Sequence, residues 1–181
     1  LSISNFKQSS TTNLLSILNI FDYCAQYKLP LIYASSSAVY GEMELGDDEK
    51  KNVDLMTPYA VDKHAMELYS KVLWKLNGLS SIGLRFFNVY GPRQDPSSPY
   101  SGVISIFIDK ILNHKEVNIN GGNQTRDFVY IDDVIRAIYK SLILCQEECV
   151  NHNVNILTGL ESSIIELYTT HFGLQASTAR F

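Results

Sequence analysis

Apolar positions recur along this chain at two different spacings, and their alternation sets out helices and strands in turn. From Ser10 to Tyr27, Leu14, Leu15, Leu18, Phe21 and Ala25 fall at helical intervals, with Ile17 and Cys24 beside them, behind serine and threonine capping candidates. Leu31 to Ala34 is a short, almost wholly apolar run after Pro30, the pattern of a strand buried on both faces of a parallel sheet. Thr57-Pro58 opens a second helix, in which Met66, Leu68, Tyr69, Val72 and Leu73 are expected to face inward, and Asn77-Gly78 closes it. Ser81 to Phe87 reads as the next strand, so the segment is a β–α–β unit with an expected right-handed crossover.

Between and beyond these elements the pattern is looser. Gly46 to Lys51 is a charged loop, and Gln94 to Ser101 is a loop rich in Pro, Ser and Asp before a helix from about Val103 to Asn113. Val117 to Ile119, a turn at Gly121-Gly122 and the extended segment Arg126 to Tyr130 follow. Asp132-Asp133 starts an amphipathic helix, its carboxylates suited to a helix N-terminus, with Val134, Ile135, Ala137, Ile138, Leu142 and Ile143 expected inward. A strand at Asn153 to Leu157 and a helix at Ser162 to Thr170 complete the order, with no internal repeat.

Composition narrows the class. With 181 residues, 45% hydrophobic and 19% charged, the chain can bury a core. A net charge of -4 with scattered Lys and Arg gives no footprint for nucleic acid. No apolar run reaches the roughly 20 residues that span a bilayer, and no signal-peptide pattern opens the chain, so the expectation is a cytoplasmic protein with no membrane partner. Three cysteines are too few for a disulfide framework, which fits a reducing compartment. Cys145, Cys149 and His152 find no further ligand cluster, so they read as a helix C-terminus, with no metal site expected.

Candidate chemistry gathers at two stretches. Tyr59 and Lys63 stand at i and i+4, on one face of the second helix. A phenol is a poor base at neutral pH until a fixed cation favours its phenolate, so this pair of residue types suits proton transfer. Ser35, Ser36 and Ser37 lie beyond the carboxyl end of the first strand, where ligands of open α/β sheets sit, although a polar strand exit alone would place serines there too. Arg85 and Arg93 read as ordinary surface charges.

The stretches YASSSAVYG, PYAVDKHAMEL, GLRFFNVYGPRQDP, QTRDFVYIDDV and HNVNILTG, in this order, resemble the extended short-chain dehydrogenase/reductases. Among these the chain is most similar to the NAD-dependent nucleotide-sugar epimerases, UDP-glucose and UDP-N-acetylglucosamine 4-epimerases in particular, over roughly residues 9 to 170. The resemblance implies Tyr59 as catalytic base, Lys63 as its cation and Ser36 as hydroxyl partner, with Ser37 a weaker candidate. It implies that Ser35, Tyr59, Lys63 and Phe86 meet the nicotinamide end of NAD, and that Ser36, Ser37, Asn88 and Arg126 meet a UDP-sugar. In such enzymes the tyrosinate takes the sugar 4-hydroxyl proton while the C4 hydride passes to NAD, and hydride returns to the other face of the keto sugar.

The same resemblance separates subclasses. Dehydratases need an acid and base pair after the catalytic hydroxyl residue, where Ser37 and Ala38 stand here, and decarboxylating relatives place a glutamate at Ala38. Glucuronate epimerases tend to carry threonine at Asn88.

Residues 1 to 40 contain no glycine-rich turn of the kind that binds a dinucleotide pyrophosphate, Leu1 is not a start methionine, and the family's last substrate-binding segment has no counterpart. The expected fold is therefore α/β, a doubly wound Rossmann-like parallel sheet without its N-terminal half, with part of a small C-terminal substrate-binding subdomain. Residues 1–95 are expected to be the C-terminal part of the NAD-binding domain and 96–181 a partial nucleotide-sugar-binding region, with 127–157 considered as a return to the main sheet. Uncovered apolar surface on the first helix and strand points to a homo-oligomer, a dimer. Two functions remain open: an epimerase whose activity belongs to a complete chain, or a truncated binding or structural protein without turnover. Asn120-Gly121-Gly122-Asn123 also departs from the family's usual glycine, aspartate, glycine turn.

Overall fold

The computed structural model describes residues 3–41, 53–172 and 179–180. The charged loop expected at Gly46 to Lys51 lies outside them. Two compact units divide the chain, one comprising Leu1–Phe86 and Ile135–Ile156, the other Phe87–Val134 and Leu157–Phe181.

The first unit begins with α1 (Phe6–Ser10), a π-helical turn at Thr11–Leu15 and α2 (Ser16–Tyr27). Its sheet is fully parallel in the order β1-β2-β6, from β1 (Leu31–Ser36), β2 (Ser81–Phe86) and β6 (Asn151–Ile156). Between β1 and β2 runs α3 (Pro58–Asn77). Its ends follow from local chemistry. Thr57 Oγ1 accepts from Ala60 N at 3.1 Å, Pro58 lacks the N–H that a first turn leaves unpaired, and Gly78 takes the left-handed conformation at φ 67° to close the helix.

Phe21, Cys24 and Ala25 of α2 pack with Met66 of α3, Tyr33 of β1 and Leu79 as the core, Phe21 meeting Tyr33 edge-on at 5.3 Å. Burying a side chain such as Phe21 or Met66 contributes about 1.5–3 kcal/mol. β1 is not buried on both faces as its apolar run suggested. It alternates, with Tyr33 and Ser35 buried on the face that meets α2 and α3 and Ala34 exposed on the other among the described residues. The doubly buried strand is β2, which lies between two others and buries Ser81 through Arg85. On α3 the expected inward face is also corrected: Met66 is buried, whereas Leu68, Tyr69 and Val72 are exposed.

The second unit holds β3 (Asn88–Tyr90), α4 (Val103–Leu112), β4 (Val117–Asn118), β5 (Thr125–Tyr130), β7 (Glu161–Ser163), α6 (Ile164–His171) and β8 (Ala179–Arg180). β3 pairs parallel with β5, β5 antiparallel with β7, and β4 parallel with β8. Phe107, Val117, Ile119, Ile164, Leu167 and Tyr168 form its core. The Asn120–Asn123 turn works through glycine backbone: Gly122 sits at φ 82°, and a Cβ there would collide with Ile165 of α6.

The division between units falls within α5 (Ile131–Glu147). Val134 of this helix is buried, but Ile135 and Ile138, expected inward, are exposed. Cys145 is buried in α5, Cys149 lies beyond it with its Sγ 3.4 Å from Gly78 O, and His152 belongs to β6. Among the described residues no helix is long and apolar enough to cross a membrane.

Candidate active site

In the first unit the chemistry-bearing residues meet where β1 leaves the sheet. Ser36 ends the strand and caps the 3-10 turn Ser37–Tyr40, its Oγ accepting from Ala38 N at 3.1 Å. That bond uses a lone pair and leaves the Ser36 O–H free to donate. Gly41 closes the turn at φ 57°, where a Cβ would collide with Asp54.

Tyr59 and Lys63 lie one turn apart in the first half of α3. Lys63 Nζ donates to Ala34 O at 2.7 Å and stands 5.5 Å from the centroid of the Tyr59 ring. Burial pulls the Lys63 pKa below its ordinary value, with the neighbouring Asp62 charge opposing part of that shift. One of the three ammonium donors is committed to Ala34, and two remain for a ligand.

Under this pair lies a charged network that the sequence did not disclose. Arg85, expected at the surface, is only 4% exposed, because it extends from the central strand under α3. Its Nε and Nη2 donate to the two oxygens of Glu67 at 2.8 and 2.7 Å, and its Nη1 donates to the Tyr40 hydroxyl at 2.8 Å. Burial acts to lower the Arg85 pKa, but the Glu67 hydrogen bonds and charge, with Tyr40, more than offset it and hold the group above its ordinary value. Ser35 Oγ donates to Glu67 Oε1 at 2.5 Å, so the side chain placed by resemblance at the cofactor is turned to a buried carboxylate. Phe86, half-buried, ends β2. Glu67 was readable as the next four-residue step after Tyr59 and Lys63; its strand partner was not.

In the second unit Asn88 and Arg126 line one cavity of about 490 Å³, with Tyr90, Gln94, Asn118 and Asn120 among its other walls. Asn88 Nδ2 donates to Asp127 O at 3.2 Å, and Arg126 Nη1 to Thr125 O at 2.7 Å. Asp127 itself is buried. Its carboxylate accepts from Thr158 N at 2.9 and 3.0 Å, from Thr158 Oγ1 at 3.0 Å and from Gly159 N at 2.7 Å. Arg93 is exposed, with a left-handed φ of 69°.

Residues 2–156 match the model of the NAD dependent epimerase/dehydratase family. The chain belongs to this family. A Methanocaldococcus jannaschii family protein, provisionally named a UDP-glucose 4-epimerase, is 42% identical over 92% of this chain and 54% of its own length. The structure of a UDP-N-acetylglucosamine 4-epimerase from Methanobrevibacter ruminantium, in complex with UDP-N-acetylmuramic acid, superposes with a TM-score of 0.84 at 37% identity, over 92% of this chain and 54% of that one. A Thermus thermophilus UDP-glucose 4-epimerase in complex with NAD gives a TM-score of 0.75 at 33% identity, over 86% and 51%. The chain thus spans about half the length of the relatives it matches. These likenesses carry the α/β, Rossmann-like reading of the parallel β1-β2-β6 sheet.

Proposed function

We propose that this chain carries the proton-transfer centre of an NAD-dependent nucleotide-sugar 4-epimerase acting on a UDP-hexose or UDP-N-acetylhexosamine. The observation that carries the reading is the Lys63 ammonium, fixed on Ala34 O and 5.5 Å from the Tyr59 ring centroid, at the strand end that presents the Ser36 hydroxyl. In this reading Tyr59 takes and returns the proton of the sugar 4-hydroxyl, and Ser36 donates its free O–H to the same oxygen. Lys63 favours the phenolate and offers its two remaining N–H donors to the nicotinamide ribose. These donors fit the nicotinamide end of the cofactor, beside Phe86 and the main chain of Ser35. When bound, NAD supplies the acceptor and donor for the C4 hydride. Asn88, Arg126 and Ser37 are assigned to the UDP-sugar, the Arg126 fork suiting phosphate oxygens. With Ser37 and Ala38 after Ser36, no acid and base pair for dehydration stands there.

The reading includes a second copy of the chain. Val61, Leu68, Val72 and Leu76 are 48, 52, 49 and 76% exposed at successive steps of seven, four and four along α3, an apolar stripe on one side of the helix.

Calorimetric titration with NAD, followed by a coupled assay with UDP-glucose and UDP-N-acetylglucosamine, tests the proposal. Tyr59→Phe is expected to lower kcat by about 10²- to 10⁴-fold. A Tyr59→Phe variant with the normal rate would remove the base assignment. No binding at millimolar NAD would replace catalysis by this chain with the non-catalytic alternative.

A further inference from the structure

Most of the face that α3 turns toward the sheet is polar. Down the helix from Tyr59 come Lys63, Glu67 and Ser70, and each is tied to a strand. Lys63 reaches Ala34 O, Glu67 reaches Ser35 and Arg85, and Ser70 pairs with Ser81 at 2.8 Å, with Asn151 Nδ2 donating to both hydroxyls at 2.5 and 3.2 Å. Apolar contacts tolerate a small rotation of a helix on a sheet; hydrogen bonds to fixed strand groups do not.

We propose that Glu67, through Arg85, is the positioning residue for the catalytic base: the buried pair sets the rotation of α3 about its axis and so the placement of the Tyr59 phenol relative to the Ser36 hydroxyl. This rests on Tyr59 as the base. The two-pronged Arg85–Glu67 bond has a plane as well as a length, so it resists rotation where a single bond would swivel. The same carboxylate grips Ser35, the residue before Ser36, while Arg85 grips Tyr40 at the end of the turn that Ser36 caps, and the Tyr40 hydroxyl donates on to Asn155 at 2.8 Å. Glu67, Arg85 and Tyr40 are 3, 4 and 2% exposed, so water does not compete for these bonds. His64 Nδ1, 3.5 Å from Glu67 Oε2, and the buried Tyr33 phenol are further titratable groups that interact with the carboxylate. With side-chain tips about 5–6 Å from a helix axis, a rotation of about 20° carries a tip about 2 Å. A misplacement of about 1 Å can cost about 100-fold in rate.

The test separates placing from folding. Replacing a buried ion pair by apolar residues of similar volume is often neutral for stability, whereas breaking one partner is not. The double variant Glu67→Met/Arg85→Met is therefore expected to fold, with a thermal transition lowered only by the loss of the Ser35 acceptor, while kcat falls about 100-fold and KM changes less than about 3-fold. Glu67→Asp, which keeps the carboxylate, should fall between it and the parent. A second readout needs no turnover: with ¹³Cζ-labelled tyrosine, the Tyr59 resonance, assigned by its loss in Tyr59→Phe, should move in the double variant while that of the exposed Tyr100 stays. If the double variant does not fold, Glu67→Gln is read by the same resonance. Normal kcat in a folded double variant, or an unmoved Tyr59 resonance, overturns the proposal. A moved resonance in a chain that shows no turnover upholds the positioning and counts against epimerase activity of this chain.

Discussion

Removing the Asp127 carboxylate tests how the second unit holds its cavity in shape. In Asp127→Ala the main-chain N–H groups of Thr158 and Gly159 lose their acceptor, as does the Thr158 hydroxyl. Thr158 and Gly159 are exposed, so water can replace the lost acceptor and each bond costs only its net worth to a charged group, about 1.5 kcal/mol at the low end. The two N–H bonds together give a loss of about 3 kcal/mol. For a chain of this size that lowers Tm by roughly 6–12 °C. Asp127→Asn keeps one acceptor oxygen and should lose about 1–2 kcal/mol. Because Asn88 donates to Asp127 O and Arg126 is its chain neighbour, uridine diphosphate affinity should fall with stability in Asp127→Ala and recover most of the way in Asp127→Asn. Thermal melts paired with calorimetric titration of uridine diphosphate measure both. Asp127→Ala within about 0.5 kcal/mol of the parent would refute the reasoning, since a buried carboxylate with these four bonds cannot be removed at so small a cost if they form.

Two further outcomes follow from the first unit. Because burial lowers the Lys63 pKa, the folded protein loses this cation below the pH where an ordinary lysine does, so kcat should decline on the alkaline side below pH 10.5; stability should fall as pH drops through the same interval and rise as it climbs, since the unfolded chain still binds the proton that the folded one has released. Lys63→Arg should move that decline upward, and a pH profile unchanged by it would dismiss Lys63 as the titrating group. On α3, Leu68→Glu/Val72→Glu should shift sedimentation from dimer to monomer at micromolar concentration while leaving far-ultraviolet circular dichroism intact; an unchanged dimer would place the interface elsewhere.

Much of the frame was legible because it is written in local chemistry. The Thr57 cap, Pro58 and Gly78 bound α3 within its own sequence, and the apolar runs at Leu31 and Ser81 gave the two parallel strands. What escaped was decided by neighbours far along the chain. Leu68, Tyr69 and Val72 are apolar on a helix with apolar residues on more than one side, and periodicity does not say which side meets the core. Ile135 and Ile138 escaped for the same reason. Arg85 reads as a surface charge until Glu67, 18 residues earlier, is seen to lie over its strand. Ser35 marked the strand exit, yet its hydroxyl belongs to that buried pair rather than to the open end of the sheet.

The placement of β2 between β1 and β6 also bears on how the chain is made. Ser81 pairs with Asn151 and Phe86 with Ile156, each 70 residues later, so one edge of the central strand waits for its partner while those 70 residues are synthesised. At about 5–20 residues per second, that wait is roughly 4–14 seconds for a nascent chain. Throughout it, β2 offers its open edge to other strands, and the interval is long compared with hairpin formation or collapse. Chaperone occupancy on the ribosome should therefore peak after residue 86 emerges and fall once residue 156 does.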